Sequence, residues 1–374
     1  LQYFNERLAA PNTTANGSSD STFKDYNYDS WMALLSQLPL LLFTLLNSFL
    51  YQWVRERFRV AFSLVGILLL FSLTAALVQV PMEPDAFFSV TMATIWFINM
   101  FGAVLQGSLF GVVGLFPPRY STLFMSGQGL AGIFAAVAML CSILSNSAAL
   151  GYFITPCVAT LGTLMCYLLL PHLVSICTPS HMNVVNINEK ELEAERTYVS
   201  EPEERSSVLA VFKKIWLMAL CVTCVFAVTL SVFPVITWCS LFGTDKVFTC
   251  VCCFIVFNVM DLVGRSAPSL LQWPSKQSRL FPAAVLLRLV FIPLLMLCNI
   301  QNSNVTVFSH DICFVIIMAL FSFSNGYLAS LCMAYAPQLV RSKDCETAGS
   351  LMTFFLVLGL AVGASFSFLL GKLV

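Results

Sequence analysis

Charged residues are scarce in this chain. Its 374 residues include only 19 Lys and Arg and 19 Asp and Glu, so 10% are charged and the formal net charge is zero, whereas an ordinary soluble domain has about 25% charged residues. Hydrophobic residues make up 58% of the sequence. This composition excludes a soluble globular protein and predicts an all-α membrane protein that crosses the bilayer many times. We expect lipid around it and no nucleic-acid partner.

Groups that could hold a metal or perform catalysis are also few. The three histidines, His172, His181 and His310, are far apart in the sequence. Cys221 and Cys224 have the C-x-x-C spacing but lie in an apolar run, whereas a metal site needs clustered His or Cys that water can reach. A membrane enzyme would need a nucleophile with a base, or a metal cluster. We therefore expect no enzyme activity, no metal and no cofactor.

The sequence contains ten apolar runs that are long enough to cross a hydrocarbon core of about 30 Å. They cover residues 31–51, 58–78, 87–116, 120–144, 149–170, 211–237, 247–271, 280–298, 312–336 and 348–370. A polar, Glu-rich segment separates the first five from the last five. We predict an external segment over 1–30, an N-terminal bundle over 31–171, an acidic cytoplasmic linker over 172–210 and a C-terminal bundle over 211–374. Two bundles joined in this way are typical of transporters with a site between the halves.

Lys and Arg indicate the orientation, because cytoplasmic loops are enriched in them. They concentrate in alternate loops, which hold Arg55, Arg57, Arg59, Arg119, Lys190, Arg196, Arg205, Lys213, Lys214, Lys276, Arg279, Arg341 and Lys343. Residues 1–30 and the C-terminus are then extracellular. Three glycosylation sequons, at Asn12, Asn16 and Asn304, fall in segments predicted to lie outside. We expect a plasma-membrane glycoprotein, and we interpret the chain as a fragment whose first helix is missing, because no signal peptide precedes its external start.

Asp261 and Arg265 form a charged pair inside an apolar run. Each ionised side chain costs about 2.5 to 3.5 kcal/mol at the centre of a membrane helix, so such residues usually mark a site or pathway. At i and i+4 they share one face of a helix. The alternative is a bridge that only docks two helices. Asp261 is also the one clearly mid-span acid, and a carboxylate paired with a guanidinium is not free to bind a coupling cation, which favours facilitated diffusion.

Gln106 is the polar side chain that stands out in the first half. Its amide offers both donors and acceptors, which suits the edge of a heterocyclic base. The alternative is a hydrogen bond to a neighbouring helix. Small residues beside it, including Gly102, let a backbone or ligand approach closely. The GxxxG pairs Gly107/Gly111 and Gly359/Gly363 predict helix packing within the molecule.

Six stretches carry a family resemblance. They are LPLLLFTLLNSFL from Leu38, LQGSLFG from Leu105, MSGQGLAG from Met125, FNVMDLVGRS from Phe257, FSNGYLASLCM from Phe323 and ETAG from Glu346. Together they resemble the equilibrative nucleoside transporters over nearly the whole chain. Two stretches, STLFMSGQGLAGIFAA from Ser121 and ALGYFITPC from Ala149, are most similar to the vertebrate type 2 branch, with type 1 next. The resemblance implies a fold similar to the major facilitator superfamily, with eleven helices (6+5), of which about ten are present here.

The resemblance also implies roles for individual residues. Arg265 would donate to the ribose hydroxyls, Asp261 would orient Arg265, and Gln106 would meet the base. The cavity would be lined by Gln37, Leu40, Gly102, Phe254, Asn258 and Leu360. Phe233 and Pro234 would lie near an extracellular gate, and Arg59 and Glu346 near the ends of moving helices.

The expected function is facilitative, sodium-independent, bidirectional transport of nucleosides such as uridine, adenosine and inosine, and of nucleobases as an extension. The alternative is a transporter of nucleobases or other small polar solutes on the same fold, with proton coupling as an option. A receptor is less consistent with the sequence, because ten or eleven spans in two bundles exceed a seven-helix design. The sequence does not indicate an oligomeric state.

Overall fold

The computed structural model describes residues 28–50, 54, 56–79, 84–144, 148–177, 206–232, 246–296 and 311–370. These residues form helices and no strand. The helices are α1 (Tyr28–Leu50), α2 (Glu56–Gln79), α3 (Pro84–Gly114), α4 (Pro118–Leu144), α5 (Ala148–Cys177), α6 (Val208–Val232), α7 (Lys246–Ser266), α8, α9 (Asp311–Tyr335) and α10 (Cys345–Leu370). α8 is a run of three short segments, Leu280–Leu287, the 3-10 turn Arg288–Val290, and Phe291–Met296.

Each predicted apolar run corresponds to one of these helices. α2, α3, α4, α6, α9 and α10 are long and apolar enough to cross a membrane, and α1, α5 and α8 contain shorter apolar stretches within the described residues. The prediction of an all-α protein with many membrane spans is therefore confirmed. The predicted run 247–271 extended too far, because α7 ends at Ser266 and a 3-10 turn that contains Pro268 follows.

Prolines set several helix boundaries. Pro84 and Pro118 are the first residues of α3 and α4, where the missing N–H of proline has no helical partner to lose. Pro293 lies inside α8 and cannot donate to the carbonyl of Leu289. The 3-10 turn Arg288–Val290 comes just before this break, and its first residue, Arg288, is fully buried.

We use "half" for the first five helices (α1–α5) or the last five (α6–α10) in chain order, and helices of the same half pack on one another. α3 packs against α1 and α2, α6 packs against α10, and α7 packs against α9. The largest apolar core lies among α6, α9 and α10 and also includes Phe110 of α3 and Met125 of α4. Gly359 and Gly363 of α10 lie against Thr223 and Ala227 of α6, so this GxxxG pair serves packing inside the molecule, as predicted.

Close contacts between α4 and α7, between α3 and α10, and between α1 and α10 join the halves, and we call the first two the α4–α7 seam and the α3–α10 seam. In the α4–α7 seam, a Cβ placed on Gly129 would lie 3.0 Å from Leu262 Cα. In the α3–α10 seam, a Cβ on Gly114 would lie 2.8 Å from the carbonyl oxygen of Cys345, and one on Gly111 would lie 3.1 Å from Glu346 Cγ. A side chain at Gly114 would force the backbone of α10 to move, and one at Gly129 or Gly111 would push the neighbouring atoms by a few tenths of an ångström. Glycine therefore allows the halves to come this close.

Several predicted features lie outside the described residues. They are the sequons at Asn12, Asn16 and Asn304, the predicted gate residues Phe233 and Pro234, and most of the segment 172–210. The division into two bundles and a linker stays a prediction.

Candidate functional site

The predicted ion pair forms on α7. Arg265 Nε donates to Asp261 Oδ2 at 2.6 Å, and the two side chains are only 11% and 6% exposed. The residues are one turn apart, as their spacing predicted. A charge-assisted bond of this length is among the stronger hydrogen bonds in proteins.

Asn325 of α9 forms a hydrogen bond with the second oxygen of the Asp261 carboxylate. Its Nδ2 donates to Asp261 Oδ1 at 2.7 Å. α9 reaches this position because it crosses α7 at two glycines, Gly264 of α7 and Gly326 of α9. A Cβ on Gly326 would lie 2.8 Å from the backbone nitrogen of Arg265 and would collide with the carbonyl oxygen of Asp261. Both oxygens of Asp261 thus have a donor, which fixes the carboxylate.

A second arginine lies behind Asn325. Arg288 is 1% exposed and is the largest fully buried side chain among the described residues. Its guanidinium packs 5.1 Å from the centre of the Phe321 ring. It donates to the Val225 carbonyl at 2.8 Å, Thr229 Oγ1 at 3.0 Å, Ser324 Oγ at 3.2 Å, Asn325 Oδ1 at 3.4 Å and the Phe321 carbonyl at 3.4 Å.

Arg288 determines which way the Asn325 amide points. A guanidinium has donors and no acceptor, so the Asn325 oxygen must face Arg288. The hydroxyl of Thr229 lies 2.7 Å from the same oxygen. The amide nitrogen must then face Asp261, which accepts hydrogen bonds. The chemistry of the neighbours alone therefore assigns this amide orientation.

Arg265 also makes contact with the other half of the protein. Its Nη1 donates to Gln128 Oε1 of α4 at 3.2 Å. Nearby, Ser266 Oγ donates to Ser126 Oγ at 3.0 Å. Arginine has five N–H donors, and the bonds to Asp261 and Gln128 use two of them. The charged pair therefore lies at the junction between the halves and retains donors for a ligand.

Other predicted binding residues share a face of α7 with this pair. Phe254, Asn258, Asp261 and Arg265 are spaced at i, i+4, i+7 and i+11, which places them on one side of the helix. Asn258 Nδ2 donates to the Phe254 carbonyl at 2.7 Å. The side-chain oxygen of Asn258 touches the space that a Cβ on Gly132 of α4 would fill.

The remaining predicted residues lie on α1, α3 and α10. Gln106 is half-buried on α3, and within the described residues no hydrogen-bond partner holds its amide. No other described residue has an atom within 4 Å of a Cβ placed on Gly102. Leu40 and Leu360 pack against the same large core, and the buried side-chain oxygen of Gln37 has no hydrogen-bond partner in the described part of the chain. Among the described contacts, no hydrogen bond connects Gln37 or Gln106 to the α7 pair.

A second polar network joins the halves at the end where α3 ends and α10 begins. We call this the basic end because several described basic residues lie at or beside the helix ends there: Arg57, Arg119, Lys276, Arg279, Arg341 and Lys343. Arg59 Nη2 pairs with Glu346 Oε1 at 3.1 Å, and the side chains are 7% and 14% exposed. Arg59 Nη1 donates to Asn47 Oδ1 at 3.1 Å, and Asn47 Nδ2 donates to Ser350 Oγ at 3.3 Å.

The assignment to loops was wrong for five basic residues, which lie in the first two turns of helices: Arg57 and Arg59 of α2, Arg119 of α4, and Lys213 and Lys214 of α6. Arg59 is also buried, and it and Glu346 do lie near the starts of their helices, as predicted. The charge of Arg59 is compensated by Glu346 from the opposite half.

Four polar residues of these networks were not predicted: Asn47, Gln128, Arg288 and Asn325. Each is a polar side chain within an apolar helix, which is itself a signal of function. Three of them, all except Arg288, fall inside the stretches that carry the family resemblance. Their position in a shared motif could have marked these three residues as functional. It could not have shown what they contact, because the partner of each residue lies far away in the sequence.

Comparisons with known proteins support the same family. The family model described as "Nucleoside transporter" matches residues 92–372. Equilibrative nucleoside transporter 2 of Homo sapiens is 49% identical over 420 residues, which cover 99% of this chain and 91% of that protein. Equilibrative nucleoside transporter 1 of Homo sapiens is 44% identical over 377 residues, covering 93% and 83%, and equilibrative nucleoside transporter 3 of Rattus norvegicus is 29% identical over 402 residues, covering 99% and 83%. The predicted resemblance is confirmed, and this chain belongs to the nucleoside transporter family.

Proposed function

We propose that this protein carries nucleosides across the plasma membrane by facilitated diffusion and that Arg265 holds the sugar. The observation that carries the proposal is the buried Asp261–Arg265 pair, which keeps N–H donors available at the junction of two helical halves. Membership of the nucleoside transporter family supports the substrate class. Uridine, adenosine and inosine share the ribose that this arrangement suits.

The sugar would be recognised by a guanidinium that cannot rotate. Asp261 is held by Asn325 on one oxygen and holds Arg265 Nε with the other. The outer edge of the planar guanidinium can then donate to two adjacent hydroxyls at once. Hydrogen bonds to charged groups contribute about 1.5 to 3 kcal/mol each, so loss of this group should remove most of the affinity for the sugar.

The base would lie between a polar amide and apolar walls. Gln106 would bond to the base edge, and Leu40, Phe254 and Leu360 would contact its faces, with Gln37 and Gly102 also lining the cavity. Sites for small molecules typically combine a few directed polar groups with apolar walls. Transport of nucleobases would depend on this part of the site alone.

Alternating access would involve the basic end, which we assign to the cytoplasm. There, the Arg59–Glu346 pair and the α3–α10 seam hold the halves together, so opening requires this ion pair to separate. Phe233 and Pro234 are proposed to act at the opposite, extracellular end. In the two polar networks described above, both carboxylates, Asp261 and Glu346, are paired with arginine, which supports transport without a coupling ion.

Uptake of uridine by Arg265→Ala tests the proposal. We expect this variant to reach the cell surface and to lose uridine uptake, because the ribose loses its donors and Asp261 loses its counter-charge. Asp261→Asn should be less severe, since an amide oxygen can still accept from Arg265. Arg119→Ala, at an exposed arginine, is the matched control and should retain uptake. Normal uridine uptake by Arg265→Ala would refute the sugar assignment, and uptake of hypoxanthine but not uridine by the wild type would favour the nucleobase alternative.

A further inference from the structure

Asn99 is an amide at the middle of α3 that the proposed function does not use. Its Nδ2 donates to the Ile95 carbonyl of the same helix at 2.8 Å. A carbonyl oxygen only accepts hydrogen bonds, so the nitrogen of the Asn99 amide must face Ile95 and its oxygen must face away. Within the described residues, no donor bonds to that oxygen. A half-buried acceptor in the middle of a membrane helix is thus left for a ligand.

The side of α3 that carries Asn99 is also the side proposed to meet the base. Asn99, Gly102 and Gln106 are spaced at i, i+3 and i+7, so they share one face of the helix. A Cβ placed on Gly102 would have no atom of another described residue within 4 Å. Phe97 lies two residues before Asn99 and therefore on the opposite side of the helix, and it is 46% exposed. Asn99 thus faces the open space beside Gly102, and the lipid-facing side of α3 is the one that carries Phe97.

Arg265 lies at a depth between the two amides of α3. Residues 115–117 join α3 to α4 at the basic end, so depth along both helices can be counted from there. At a rise of about 1.5 Å per residue, Gln106 is about 12 Å and Asn99 about 22 Å from the end of α3. Gly129, whose Cβ would lie 3.2 Å from Arg265 Cδ, is about 16 Å from the start of α4. A nucleoside held by Arg265 is therefore level with the part of α3 between Gln106 and Asn99.

We propose that Asn99 is a second residue that recognises the base, and that its side-chain oxygen accepts a hydrogen bond from an N–H group of the base. This inference rests on the proposed function. The base would lie over Gly102, with Gln106 on the side of the basic end and Asn99 on the other side. The amino groups of adenine and cytosine are donors, and so are the ring N–H groups of uracil and hypoxanthine. Asn99 would accept any of these bases and would disfavour a base that has no N–H group.

Purine riboside tests the proposal, because it has the ribose and the ring system of adenosine but no N–H group on its base. We expect adenosine and inosine to inhibit wild-type uridine uptake at about two- to tenfold lower concentrations than purine riboside, the equivalent of one net hydrogen bond. Asn99→Leu removes the acceptor and keeps the approximate size of the side chain, so it should abolish this advantage. Asn99→Asp keeps an acceptor oxygen and should retain it. A general disturbance of α3 would instead weaken all three inhibitors equally.

Thr94→Val is the matched control on the same helix. Thr94 Oγ1 donates to the Val90 carbonyl at 2.7 Å, as Asn99 Nδ2 donates to Ile95, but Thr94 is buried on another side of α3. This variant should leave the ratio of adenosine to purine riboside potency unchanged. Equal inhibition by adenosine and purine riboside in the wild type, or an undiminished advantage in Asn99→Leu, would overturn the proposal. If Asn99→Leu does not reach the surface, the same ratio in Asn99→Ala decides. Failure of the proposed function is distinct, because the wild type would then take up no uridine.

Discussion

Replacing Asn325 with aspartate should make transport depend on pH. In the wild type, the Asn325 amide donates to Asp261 Oδ1 at 2.7 Å and its oxygen faces Arg288. Asn325→Asp keeps the shape of the side chain but places a second carboxyl group against Asp261. Two ionised carboxylates at that separation repel each other by about 6 kcal/mol for an effective dielectric constant of about 20. Arg288, whose Nη1 lies 3.4 Å from the oxygen of this side chain, offsets part of the repulsion. The remainder favours a proton shared between the two carboxylates, which lets the clamp keep its geometry.

The sign of the pH dependence follows from this shared proton. When the proton is bound, the new carboxyl group donates to Asp261 as the amide did, and its other oxygen still accepts from Arg288. When the proton is lost, the two carboxylates separate and Arg265 loses its fixed support. Uridine uptake by Asn325→Asp should be nearest to the wild type in acidic medium and should fall as the pH rises. The wild type should change little between about pH 6 and 8.

The assay is initial uridine uptake at several pH values, normalised to the amount of protein at the surface. Asn325→Ala is the control, because it removes the donor without adding an ionisable group and should reduce uptake equally at each pH. Wild-type uptake by Asn325→Asp with no dependence on pH would show that the amide does not support Asp261 during transport.

Three further predictions concern gating, coupling and inhibitor binding. Glu346→Gln should lower uridine uptake, because breaking one side of a buried ion pair costs about 3 to 5 kcal/mol. Adding Arg59→Gln to the same protein should restore part of the lost uptake. If the losses of the two single variants simply add, the two side chains do not pair during transport. Uridine uptake into proteoliposomes should not respond to a sodium or proton gradient. Accumulation driven by a proton gradient would contradict this and would point to Asp344 as the coupling group, because this residue is buried and one of its oxygens has no partner among the described residues. Gly102→Ser should weaken the binding of nitrobenzyl-thioinosine inhibitors more than the binding of uridine, since the new side chain would enter open space one turn from Gln106. Identical inhibitor titrations of the wild type and Gly102→Ser would mean that Gly102 serves only helix packing.

The helices and the charged pair could be predicted because both depend on short-range patterns. Apolar runs of about 20 residues specify the spans, and a spacing of four places Asp261 beside Arg265 whatever surrounds the helix. The rest of the site depends on how helices cross. Asn325 is 64 positions from Asp261, and Gln128 is 137 positions from Arg265. No local pattern shows that these residues meet.

Arg59 and Arg288 show a second limit of the sequence. From the sequence, Arg59 is expected in a loop and Arg288 within the run 280–298, but the sequence does not show that either charge is buried among specific acceptors. Arg59 finds Glu346 across the seam, and Arg288 finds carbonyl and hydroxyl groups on α6 and α9. The acceptors come from helices that are distant in the sequence, so burial of the two charges could not be foreseen.

The network around Asp261 contains two guanidinium groups and one carboxylate, and this imbalance bears on which solutes can enter. Asp261, Arg265 and Arg288 together leave one positive charge inside the protein. A cation at about 8 Å from that charge would be repelled by about 2 kcal/mol for an effective dielectric constant of about 20, which corresponds to roughly 30-fold weaker occupancy. Organic amines of the size and shape of a nucleoside should accordingly be poor substrates, whereas uncharged analogues that keep the vicinal diol should be accepted.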